Sequence, residues 1–205
     1  MGAYGLSFGA AATTAGLSVL QACALSLLVF TGASQFALVG VLGAGGGVLP
    51  AVAGAALLGT RNLLYAVRLA DLLRLSGGRR VLAAQVTIDE TTAMATGAPG
   101  QLAGLAFWAT GAAVYVLWNL ATLLGALGAG VVDTGALGLD AAVGAAFLGL
   151  LVPQVRDRSA FAVAVGGAAV AAFAVPYTPP GVPVLLAGLA VLPALRGSRA
   201  SAEQP

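Results

Sequence analysis

Polar positions are so sparse along this chain that long hydrophobic runs, broken by glycine, proline and arginine, define its elements. Residues 4–21 and 24–42 are two apolar runs parted by a weak polar break at Ser18 and Gln21. A third covers residues 49–69, after a turn built from Gly43, Gly45, Gly46, Gly47 and Pro50. At 1.5 Å per residue, helices of this length approach the roughly 30 Å of a hydrocarbon layer. Residues 102–124 form another full-length run, a glycine-rich loop is expected over 125–137, and shorter runs follow at 139–152, 161–175 and 184–195. Pro176, Pro179, Pro180, Gly181 and Pro183 separate the last two. The strict alternation of a lipid-facing strand is missing, which argues against a β-barrel.

Residues 81–98 depart from this pattern. The segment has helical length but is only moderately apolar and contains Gln85, Asp89 and Glu90; each charge held against lipid would cost about 2.5–3.5 kcal/mol on insertion scales. The arginines indicate how it runs, because cytoplasmic loops collect them. Arg74, Arg79 and Arg80 crowd the loop before it, Arg156 and Arg158 follow the run at 139–152, and Arg196 and Arg199 follow the last. A segment that dips in and returns keeps all three clusters on the cytoplasmic side, whereas a crossing would separate them. The expected fold is therefore an all-α, polytopic integral membrane helical bundle with about six full spans plus one partial or broken segment. It forms a single domain over residues 1–205, with a short polar tail at 196–205, a cytoplasmic C-terminus and an external N-terminus if nothing precedes Met1.

Composition narrows the chemistry. Hydrophobic residues make up 60% and charged residues 8% of the chain, against about 25% charged in soluble domains, and the first 60 residues carry no charge at all. A chain of 205 residues has room for one bundle and none for a soluble enzymatic domain. All nine basic residues are arginine, without the basic, aromatic-laced stripe of a nucleic-acid binder. Histidine is absent and Cys23 is the sole cysteine, which removes internal disulfides, thiolate clusters and the commonest metal ligand and neutral-pH base. No Ser–His constellation and no GxxxxGK[ST] loop is present. Neither an enzyme nor a metal, cofactor or ATP-driven pump is expected. The first segment lacks a basic n-region and is read as a retained span. Small residues at Gly5–Gly9, Ala51–Ala55–Gly59 and Ala142–Ala146 suit close helix approach.

Rare polar groups inside apolar runs mark candidate working parts. In the segment from Phe30 to Phe36, Thr31, Ser34 and Gln35 fall on one broad face at spacings of three and four. Gln35 needs partners for two donors and an acceptor, from another helix or from a solute. The segment from Thr60 to Arg68 puts Arg61, Tyr65 and Arg68 on one side of a helix, with Asn62 beside them. Arg68 is placed to snorkel, while Arg61, about two turns deeper, could pair with a buried acid or receive a solute carboxylate on its planar fork. Asp89 and Glu90 are the only adjacent acids; they are candidates for an ion pair with Arg61 or Arg68, or for holding a coupled proton. Asn119, beside Trp118, is a candidate interhelical partner or solute contact. Asp133 and Asp140 read as loop and span-end charges.

Three segments together resemble the AzlC family of branched-chain amino acid permeases: Phe8-Gly9-Ala10 with Ala15-Gly16-Leu17-Ser18, the run Phe30–Phe36, and Arg61-Asn62-Leu63-Leu64-Tyr65 followed by Asp89-Glu90-Thr91. The likeness extends over roughly residues 3–160. It implies a secondary transporter of the cytoplasmic (inner) membrane, surrounded by lipid, that exports branched-chain or related apolar amino acids beside a small multi-span subunit of the AzlD type. Relatives commonly carry Asn before the arginine and His after it, where this chain has Thr60 and Asn62, and a short leader before the first motif. With the polar groups read above, this gives a candidate solute path along Thr31, Ser34, Gln35, Arg61, Asn62, Tyr65 and Asn119, with Asp89 and Glu90 as ion-pair or proton-coupling candidates. A non-transporting assembly subunit and a passive channel are the competing readings of the same residues.

Overall fold

A computed structural model describes residues 1–129, 148–149, 151–152 and 155–191. Asp133 and Asp140, most of the run expected at 139–152, the Ala142–Ala146 pair and the tail with Arg196 and Arg199 lie outside the described residues. Every regular element among those described is helical: α1 (Gly2–Thr14), α2 (Val19–Leu28), α3 (Ala33–Gly43), α4 (Val48–Leu73), α5 (Gly77–Gln85), α6 (Asp89–Gly97), α7 (Ala103–Gly128), α8 (Arg158–Ala174) and α9 (Val182–Ala187), with 3-10 turns at Val175–Tyr177 and Gly188–Val191.

Three of these are long and apolar enough to cross a membrane: α4 and α7, at 26 residues each, and α8 with its 3-10 extension, Arg158–Tyr177, at 20 residues. Their outer faces carry exposed Leu63, Leu64 and Val67 on α4, Leu105, Leu117 and Leu124 on α7, and Phe173 on α8. Side chains of this kind belong in lipid, and the fold is that of a multi-pass membrane protein. Of the other runs expected to cross, that at 184–195 is described only to residue 191, as the six-residue α9 and a 3-10 turn, and the two in the first 45 residues do not form membrane-length helices.

There the two runs at 4–21 and 24–42 become three short helices. Ser18 and Gln21, whose polarity marks only a weak break in the sequence, are a helix start: Gln21 N–H donates to Ser18 Oγ at 3.2 Å and Ser18 N–H to Gln21 Oε1 at 2.8 Å. This reciprocal box satisfies donors that would otherwise be orphaned at the start of α2. Gly32, at φ 64°, lets the chain turn from α2 into α3 in a conformation costly for any residue with a Cβ. Residues 81–98 are likewise broken, into α5 and α6, with the interruption at 86–88. α7 continues to Gly128, into the stretch expected as a glycine-rich loop, whose residues from 130 on lie outside the described ones.

The broken pairs occupy matching places. α2 and α3, followed by the long α4, are echoed by α5 and α6, followed by the long α7. Each break is pinned by the side chain three residues past the cap. Gln35 accepts from Gly32 N–H at 3.2 Å and donates to Leu25 O at 3.1 Å; Thr91 accepts from Ile88 N–H at 3.0 Å and donates to Val86 O at 2.8 Å. Backbone groups freed by a helix break in a bundle must find such partners, since lipid offers none. Gln85 ties the breaks together, donating from the end of α5 to Leu27 O at the end of α2 at 2.8 Å, and Tyr115 Oη on α7 reaches the same carbonyl at 3.0 Å.

α1 lies tightly along α7. A Cβ on Gly9 would stand 2.0 Å from Thr122 O, and one on Gly125 would stand 2.0 Å from Leu6 O. The Gly5–Gly9 spacing therefore works as a small-residue seam that brings two backbones together. Behind it Phe8, Phe36 and Trp118 form an aromatic core, with Phe8–Phe36 centroids 5.6 Å apart edge to face and Phe8–Trp118 stacked at 6.3 Å.

Candidate functional site

α3 and α6 both begin inside the bundle, and their first residues line one shared cavity. Its polar side is made by Thr31, Gly32, Arg61, Asp89 and Glu90, and its apolar side by Tyr4, Phe30, Phe36, Val114 and Trp118. The volume is about 40 Å³, room for a few waters at the 10–15 Å³ that each requires.

α4 supplies Arg61 as one unbroken helix crossing beside both breaks. Arg61 Nη1 pairs with Asp89 Oδ2 at 2.9 Å, both side chains about a quarter exposed (29% and 27%). Nη2 reaches Thr31 O at 3.4 Å. Tyr65, one turn along α4, donates its hydroxyl to the other carboxylate oxygen, Asp89 Oδ1. Asp89 also opens the first turn of α6, where a negative charge opposes the positive end of the helix dipole. The helix face read from Arg61 and Tyr65 thus converges on a single acid. Adjacent Glu90 lines the cavity and forms no salt bridge among the described residues.

The remaining sequence candidates divide into wall and support. Thr31 lies in the break ahead of α3, not on its helical face as the spacing implied, and its Oγ1 is buried without a partner. Ser34 is buried in the first turn of α3, against the gap left by Gly59 of α4, and its Oγ also lacks a partner. Gln35 is fully buried, with its amide committed to the two ends of the break. Asn62 Oδ1 is buried and unpartnered, and Asn119 donates to Tyr115 O on its own helix at 2.8 Å. Ser34, Gln35, Asn62, Tyr65 and Asn119 do not line the cavity.

Trp118 was not among the residues singled out for the site, yet it lines the cavity, is 5% exposed, and its Nε1–H has no partner. The signal was a tryptophan amid aliphatic residues of a span: a buried indole N–H needs an acceptor, which an apolar neighbourhood does not supply. Phe36 also faces a wider apolar groove of about 730 Å³ between α3, α4 and α9, in which Thr178 is the one polar side chain among the described lining residues. Phe36 thus stands between a polar chamber and an apolar one. Among the described residues no group of His, Cys, Asp and Glu could hold a metal ion.

No curated protein and no solved structure matches the chain. A family model described as AzlC protein matches residues 1–132, which span α1 through α7 and every residue lining the cavity. With well over half of its 205 residues in that match, the chain belongs to the AzlC family of membrane transporters.

Proposed function

We propose that this protein is a secondary transporter that exports branched-chain or related apolar amino acids across the cytoplasmic membrane, and that the cavity between the starts of α3 and α6 is its solute site. One observation carries the reading: two helices begin in mid-bundle at a small chamber with an arginine–aspartate pair on one side and aromatic rings on the other. Broken helices whose ends meet a solute are a general device of secondary transporters, because they offer unspent backbone groups where lipid cannot reach.

At about 40 Å³ the chamber has room for no more than a few waters, so loading a leucine-sized molecule requires it to widen. Phe36 is the side chain whose displacement would join the polar chamber to the apolar groove behind it. The joined space has a charged end and an aliphatic end, which is the polarity of a zwitterion with an apolar side chain. Arg61, Asp89 and Tyr65 then act as a movable latch. Thr31 and Glu90 contact the solute, while Ser34, Gln35, Asn62 and Asn119 support the path. Asp89 and Glu90 are the groups available to couple a proton. The bundle is completed to about six crossings and works beside a small multi-span subunit of the AzlD type.

The test is efflux from proteoliposomes loaded with mixed amino acids, with and without that small subunit. Leucine, isoleucine, valine and methionine are expected to leave under an imposed proton gradient. Retention of all four under every gradient removes the branched-chain assignment.

A further inference from the structure

Arg61, the obvious ligand for a carboxylate, has both terminal nitrogens engaged, Nη1 by Asp89 at 2.9 Å and Nη2 by Thr31 O at 3.4 Å. What the chamber leaves unspent is a different set of donors. Trp118 Nε1, Arg61 Nε and Thr31 Oγ1 are all buried without partners, and Trp118 as a whole is 5% exposed. Their residues line the same cavity as Gly32 and Ala33 at the start of α3, an 11-residue helix whose cap residue, Gly32, has no side chain to accept from the first turn and whose own N–H is taken by Gln35 Oε1. Indole N–H and guanidinium Nε–H can only donate, and a helix N-terminus adds further donors and a positive dipole end. Buried donors left without a partner are costly unless something arrives to accept from them. Glu90 lines the same cavity, an acceptor with no cationic partner among the described residues.

We infer that the start of α3, with Trp118 Nε1, Thr31 Oγ1 and Arg61 Nε, is a carboxylate seat, and that Glu90 receives the ammonium group of the same molecule. The chamber therefore selects free α-amino acids, and rejects both their amides and the 2-hydroxy acids of the same shape. This rests on the chamber being the solute site proposed above, and it gives Trp118 a specificity-determining role. Trp118→Phe removes the donor and keeps a ring against Phe8 and Phe36.

The experiment measures binding of leucine, leucinamide and 2-hydroxy-4-methylpentanoate by calorimetry to the purified full chain, comparing wild type with Trp118→Phe, Thr31→Val and Glu90→Gln. Wild type is expected to favour leucine over both analogues. Trp118→Phe and Thr31→Val should each weaken leucine about tenfold or more, as expected for a lost hydrogen bond to a charged group, and leave leucinamide unchanged. Glu90→Gln should weaken leucine and spare the hydroxy acid. Equal losses for leucine and leucinamide, unchanged leucine affinity in both donor variants, or no leucine binding by wild type would each overturn the seat. Vesicle efflux separates this from transport itself. A chain that binds with the expected pattern but moves nothing keeps the seat and removes the transporter reading. Normal efflux with unaltered affinity in Trp118→Phe does the reverse.

Discussion

At the residue scale the arrangement turns on Asp89, which holds Arg61 through one oxygen and Tyr65 through the other. A charge so placed is tolerated in a bundle because its partner is there, so removing one partner leaves the other uncompensated. Arg61→Ala and Asp89→Ala should each lower thermal stability in detergent, and their two losses should add to more than the loss of the double variant. The expected coupling is about 0.5–3 kcal/mol, measured by a double-mutant cycle; additive losses would mean that the pair contributes nothing to the fold. Efflux should fall in all three variants. Arg61, Asp89 and Thr31 were legible in the sequence because a charge or hydroxyl in an apolar run needs a reason to be there. The assignment of Arg61 as either ion-pair partner or solute ligand stayed open, since spacing cannot tell which acid a helix face meets 28 residues later. Gln35 was legible as a group in need of partners, but not as a helix pin, because the carbonyl it binds is freed only by the break itself.

At the element scale the breaks and the glycine seam decide where these side chains stand. Gln35→Leu strips Leu25 O and Gly32 N–H of their partners, at a cost of about 1–3 kcal/mol for each buried group. It should depress the melting temperature and efflux together, while leaving the preference for leucine over leucinamide intact in whatever fraction folds. A change in that preference would assign Gln35 to the solute instead. Gly9→Ala drives a methyl group into Thr122 O across the α1–α7 seam, an overpacking expected to cost about 1–3 kcal/mol. Gly54→Ala on α4, where an added Cβ meets nothing within 4 Å, should be neutral or gain up to about 1 kcal/mol of helix preference. Thermal unfolding of the two variants in parallel checks the contrast. Hydropathy located the long helices α4, α7 and α8 well, because lipid dictates a long apolar run. It merged α1 through α3 into two spans because a break made by Gly32 and capped by Gln35 leaves the average hydropathy almost untouched.

For the whole molecule, two broken helices placed alike before two long ones, joined by Gln85 to the Leu27 carbonyl, form a chamber that neither half makes alone. The central claim is that the solute enters this chamber. Cys23 is the sole cysteine, so a Cys23→Ser, Val114→Cys chain carries one thiol on the chamber wall, where Val114 is 9% exposed. The direct measurement is the rate at which a small thiol reagent labels that cysteine in transport-active vesicles, with and without saturating leucine. Leucine should slow labelling at least severalfold, with leucinamide much less effective. Identical rates with and without leucine, in vesicles that still export it, would place the solute path elsewhere in the protein.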